Sequence, residues 1–80
     1  MEEANELLRF ALERAKEMGS KKDEMLAALS LSRLWLTARN MHLSLTYARN
    51  ARDLAREVGD ERIACESALL MAEEIGRAHV

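Results

Sequence analysis

The sequence predicts an all-α fold in which antiparallel helical hairpins stack as an α-solenoid. Three observations carry this expectation. The first is an internal repeat, in which Met1–Leu36 aligns on Met41–Gly76 at an offset of 40 residues. Identities fall at Met1/Met41, Arg9/Arg49, Ala11/Ala51, Ala15/Ala55, Glu17/Glu57, Gly19/Gly59, Ala28/Ala68 and Leu29/Leu69. Conservative pairs lie between them, among them Ala4/Ser44, Leu31/Met71, Ser32/Ala72 and Trp35/Ile75. A period of this length means one supersecondary unit copied and stacked, because a single unit cannot bury its apolar face alone. The second observation is composition: no proline, three glycines, 49% apolar and 32% charged residues, with few β-branched side chains. This suits helices and argues against strands or a disordered segment. The third is apolar spacing at helical intervals, interrupted by glycines that each stand alone at a helix end.

The first helix, 2–18, carries an apolar stripe at Ala4, Leu7, Leu8, Ala11, Ala15 and Met18, and Gly19 supplies a left-handed stop. Ser20 caps the next helix, 22–38, with Asp23 three residues on in a capping-box arrangement. That helix is apolar around most of its circumference, with Ser30, Arg33 and Thr37 forming one narrow polar stripe. A helix apolar nearly all round is expected to be buried on several sides. Arg39 and Asn40 make a tight turn, Asn40 capping the third helix. The third helix, 41–58, turns Ser44, Tyr47, Ala48, Ala51, Leu54, Ala55 and Val58 inward. Gly59 stops it, and Asp60 caps the fourth, 61–74. Connections this short force antiparallel hairpins.

Eighty residues hold one domain at most, and a core this small supplies only ~3–5 kcal/mol without disulfides, metals or partners. A net charge of −2 gives no electrostatic case for nucleic acid. Cys65 has no internal disulfide partner, which fits a reducing compartment or a core thiol. No apolar run has the length of a membrane span, and the acidic start, Glu2 and Glu3, is the opposite of a signal peptide. The expected setting is the cytoplasm or the nucleus. The closing hexapeptide, Ile75 to Val80, resembles the translation of a common short-read sequencing adapter read in frame to a stop codon. The expected organisation is therefore a repeat segment over 1–74 and a non-native tail over 75–80. His79 then carries no functional weight.

The repeat template resembles tetratricopeptide repeats in their longer, forty-residue variety. Helix 22–38 is similar to the family's first helix, with Leu31, small Ser32 and aromatic Trp35; helix 41–58 is similar to its second, with Ser44, Tyr47 and Ala51. The flanking helices fit the same template, so that one full repeat, 22–59, stands between two half repeats. The phrases ALERAKEMG and ARDLAREVGD most resemble arrays in rapsyn-like scaffolds and in maltose-activator-type bacterial regulators. Two departures are Arg39, where the family usually has glycine, and the lack of a repeat-ending proline. The resemblance implies a fragment of a larger superhelix that binds protein without catalysis. An alternative implication is the sensor arm of a larger signalling protein, such as an ATP-driven transcription regulator.

No catalytic constellation emerges from the residues. Cys65, His42 and His79 lack metal-ligand spacing, and no glycine-rich loop could cradle a phosphate. Neither a cofactor nor a metal is expected. Trp35 and Cys65 read as packing residues, His42 as a surface residue. Arg49, Arg52 and Arg56 share one flank of the third helix with Asp53 and Glu57, a solvated face with Arg49–Asp53 as a favourable pair. The family resemblance places the concave groove on the first helix of each hairpin, which here means Leu26, Ser30, Arg33 and Thr37, continued by Glu66, Leu70 and Glu73. Such a mixed apolar and charged track suits a peptide or helix laid along it. Leu26, Leu29 and Leu70 read equally as core awaiting a further repeat. The only basic side chain on the track is Arg33, which argues against carboxylate-clamping chaperone adaptors. The expected partner is another protein, with self-association through exposed repeat ends.

Overall fold

A computed structural model describes Glu2–Ala78 and shows four α-helices: α1 (Glu2–Met18), α2 (Lys21–Thr37), α3 (Met41–Val58) and α4 (Glu61–Ala78). All described regular structure is helical, as the composition predicts. Two boundaries differ from expectation. Helix α2 starts at Lys21 and ends at Thr37, because Ser20 takes the N-cap and Ala38 the C-cap. Helix α4 does not stop at 74 but runs through Gly76 to Ala78. A single interior glycine costs only ~1 kcal/mol relative to alanine, and no capping residue before it offers the chain an alternative.

The three connections share one construction. In each, a backbone N–H just past the helix bonds back to a carbonyl five residues earlier: Ser20 to Ala15 at 2.9 Å, Asn40 to Trp35 at 2.9 Å and Asp60 to Ala55 at 2.8 Å. The residue before each donor sits in the left-handed region, Gly19 at φ 70°, Arg39 at φ 63° and Gly59 at φ 78°. These are Schellman turns, in which glycine is favoured for want of a Cβ. The donors' own side chains then cap the following helix. Ser20 Oγ accepts from the Asp23 amide at 3.4 Å, Asn40 Oδ1 from Leu43 at 3.1 Å and Asp60 Oδ1 from Ile63 at 3.1 Å. Each turn therefore ends one helix and starts the next with no spare residue, and the chain must reverse.

Each helix packs on its neighbours in sequence, α1 on α2, α2 on α3 and α3 on α4, giving a body of 41 × 30 × 14 Å. Helix α2 lies between α1 and α3, which explains its apolar circumference: Met25, Ala27, Ala28, Leu29, Leu31 and Ser32 are all buried. Helix α3 turns small residues inward, with Ser44, Ala48, Ala51 and Ala55 fully buried at 0% exposure. Where α2 meets α3, Ser32 Oγ donates to the Ser44 carbonyl at 2.9 Å and Ser44 Oγ donates to the Ser32 carbonyl at 2.8 Å. A hydroxyl one carbon long can reach a carbonyl of the facing helix only if the two backbones approach closely. Larger side chains at either position would hold the helices apart.

The stripes assigned inward from spacing hold only in part. On α1 the buried residues are Leu12 and Ala15, whereas Leu7 (70% exposed) and Met18 (71%) lie open, with Ala4 and Ala11. Val58 is also exposed, and Tyr47 and Leu54 pack partly buried against the core. Repeat-equivalent residues differ most at the two ends. Leu29 is 4% exposed and Leu69 64%; Ala28 and Ser32 are buried, but Ala68 and Ala72 are exposed. The Ser32/Ala72 repeat pairing suggests a close helix contact at Ala72 as at Ser32, but Ala72 is exposed and makes none among the described residues. The physical reason is the number of neighbours, since among the described residues α1 and α4 each have one packed helix where α2 and α3 have two.

Two stability outcomes follow. Ser32→Leu should cost about 1–3 kcal/mol by overpacking, while Ala72→Leu at the equivalent exposed place should stay within ~0.5 kcal/mol; urea denaturation of both variants checks the contrast. Arg39→Gly should raise stability by about 0.5–1 kcal/mol, because a side chain in the left-handed region is strained. A lower unfolding midpoint for that variant would contradict the turn geometry.

Candidate functional site

The track expected from sequence lies on α2 and α4. Leu26, Ser30, Arg33 and Thr37 recur at intervals of three and four along α2, and all four are exposed. Their helix is held by its two buried flanks, so this stripe is what remains facing solvent. On α4, Glu66 and Leu70 are half-buried and Glu73 is exposed. Leu70 packs against the core, so it serves the interior as well as the surface. Leu29 is core outright and Leu26 is not, which separates two residues that spacing alone left together.

The Arg33 guanidinium forms an ion pair with the Glu66 carboxylate, joining α2 to α4 across the track. Arg33 is therefore not a free cation awaiting an acidic ligand. Both side chains retain solvent contact, 55% and 37%, so water screens the pair. Thr37 Oγ1 donates to the Arg33 carbonyl at 3.1 Å, satisfying its hydroxyl within its own helix. The result is a shallow surface with an ion pair at its centre, Leu70 beside Glu66 on α4, and Leu26 and Ser30 along α2.

Leu26 and Ser30 also form one wall of an open cleft of about 510 Å³ between α1 and α2. Its other lining includes Leu8, Phe10, Ala11, Arg14, Ala15 and Met18. Phe10 and Met18 are missing from the expected site, although both are large, apolar and exposed. Phe10 falls outside the inward stripe of α1, and a bulky apolar residue off that stripe is the signal that marks it. Met18 fell on the stripe itself and gave no such signal.

The other singled-out residues separate clearly. Cys65 is exposed rather than a packing thiol, because α4 turns that side away from α3. Trp35 is half-buried in the last turn of α2, not part of the core, and its indole Nε1 is enclosed without a hydrogen-bond partner among the described residues. His42 is a surface residue on the first turn of α3. Asp53 pairs with neighbouring Arg52 at 3.3 Å instead of with Arg49. His79 and Val80 lie outside the described residues. Among the described residues no group of three His, Cys, Asp or Glu side chains could hold a metal ion, and no helix is long and apolar enough to cross a membrane.

No family model matches the chain, and no curated protein or solved structure is significantly similar to it. The site must therefore be read from its own chemistry. Arg33→Ala and Glu66→Ala should each change stability by no more than ~1 kcal/mol, and a double-mutant cycle should return a coupling of the same size or less. Thermal melts of the four proteins measure this, and a coupling of several kcal/mol would make the pair a structural lock rather than a surface feature.

Proposed function

We propose that this chain is a segment of a tetratricopeptide-like superhelix and serves as a non-catalytic scaffold that binds another protein. The observation that carries this reading is the Arg33–Glu66 pair, which bridges the α2 and α4 portions of the expected track. Stacked hairpins place equivalent helices side by side, so their outward stripes add into a continuous surface. The forty-residue period, the small residues where α2 crosses α3 and the shared turn construction all support the same reading. An extended peptide or an amphipathic helix suits such a track, with apolar anchors meeting Leu26 and Leu70 and polar groups meeting the ion pair.

A peptide array of random sequences tests the proposal. Retained peptides should carry spaced apolar residues, and Arg33→Glu should weaken their binding about tenfold, the equivalent of ~1.4 kcal/mol. The variant sets two carboxylates side by side on the track and leaves the core untouched, so its helical circular dichroism should match the parent. Equal binding by the variant would remove Arg33 from the binding surface.

A further inference from the structure

We propose that the exposed faces of α1 and α4 are the two halves of one joint, so that copies of this chain stack head to tail, with α4 of one copy seated on α1 and α2 of the next. The inference rests on the stacked-hairpin reading above. It begins with the open cleft between α1 and α2, walled by Ala11, Ala15, Asp23, Leu26 and Ser30 among others. Advancing these positions by the repeat offset of 40 gives Ala51, Ala55, Ile63, Glu66 and Leu70. Those residues are the seat of α2. Ala51, Ala55 and Ile63 share one buried cluster with Met25, Ala28 and Leu29, Leu70 packs against that cluster, and Glu66 pairs with Arg33. The cleft is therefore the same seat in the preceding copy of the repeat, with no helix of the described residues lying in it.

The helix that fits this seat is the repeat equivalent of α2, and that helix is α4. Cys65, Ala68, Leu69 and Ala72 stand where α2 has Met25, Ala28, Leu29 and Ser32. The α2 residues are buried against α3, and their α4 counterparts are exposed. Seating α4 on a neighbouring copy would bury Leu69 as Leu29 is buried and cover Ala11 as Ala51 is covered. The small-on-small crossing is kept as well, since Ala72 would meet Ala4 where Ser32 meets Ser44.

Two differences make this joint weaker than the internal one. The paired serines become alanines, so the two reciprocal hydrogen bonds are lost. Lys21 and Glu57, which pair at 3.7 Å, correspond to Glu61 and Glu17, a like-charge contact. Stacking is therefore driven by apolar burial against charge repulsion, and added salt should strengthen it by screening. The contact is heterologous and does not close on itself, so assembly grows along an open line.

Sedimentation velocity on the eighty-residue chain provides the test. Mean mass should rise with protein concentration beyond a dimer and rise further with salt. Ala11→Glu spoils the seat and Leu69→Glu spoils the helix face; both positions are exposed in the single chain, so each variant should keep its helicity. Each alone should remain monomeric, and an equal mixture should stop at a one-to-one heterodimer, because each variant retains one intact half. Labelling of the Cys65 thiol in the unaltered chain gives a readout without substitution, and its rate should fall as concentration rises. A parent chain that stays monomeric, a mixture that stays monomeric, a single variant that assembles like the parent, or labelling independent of concentration would each overturn the joint. Arg33→Glu separates this from the groove: stacking should persist in that variant whether or not peptide binding is lost.

Discussion

The close crossing of α2 over α3 is the constraint on which the rest of the structure depends. Its centre is the reciprocal pair of hydrogen bonds between Ser32 and Ser44, each hydroxyl reaching the other helix's carbonyl. A carbonyl oxygen has two lone pairs, so each can keep its place in its own helix and accept a second donor. Both serines are fully buried, and a buried hydroxyl without a partner costs about 1–3 kcal/mol. The pair therefore fixes register as well as distance, because sliding one helix along the other would strand both hydroxyls. Ala48, Ala51 and Ala55 continue the line of small residues along α3. With α3 held so close, Met25, Leu29 and Leu31 of α2 fill the remaining space, and the bulky α3 residues Tyr47 and Leu54 pack only at the margin of the core.

Stability is distributed accordingly. The middle hairpin has neighbours on both sides, whereas α1 and α4 rest on one helix each. In a stacked array the free energy is close to a sum of unit and nearest-neighbour terms, so the outer helices are held by fewer of them. Local opening is expected to begin where buried apolar contacts are fewest, which here means the outer turns of α1 and α4. Exposed Leu7, Phe10, Met18 and Leu69 belong to these same outer helices. Adhesive surface and marginal local stability thus coincide at the ends, while the Arg33–Glu66 pair ties the outer helix α4 to the better supported α2.

Much of the fold was legible in the sequence because its signals are local. A glycine at φ 70° or 78° and a cap accepting from the third residue on are set by a few adjacent positions. The tight turn at Arg39 and Asn40 was legible for the same reason, but the left-handed backbone of Arg39, at φ 63°, was not, because an arginine carries no such local signal. The groove stripe was legible in part, because spacing alone groups Leu26 with Ser30, Arg33 and Thr37. The ion pair was not, because Arg33 and Glu66 are separated by a whole helix and two turns, and nothing in either helix's spacing specifies their contact.

The sequence by itself determined helix number and order, the all-α class and the small residues of the crossing. Tertiary structure alone decided which apolar residues are core. Leu29 and Leu69 are the same residue at the same place in the repeat, yet one is buried and the other open. Ala11 and Ala51 divide in the same way. Periodicity reports which side of a helix is apolar, but burial needs a second helix to lie on that side. Whether one does is a property of the packed chain and not of the residue.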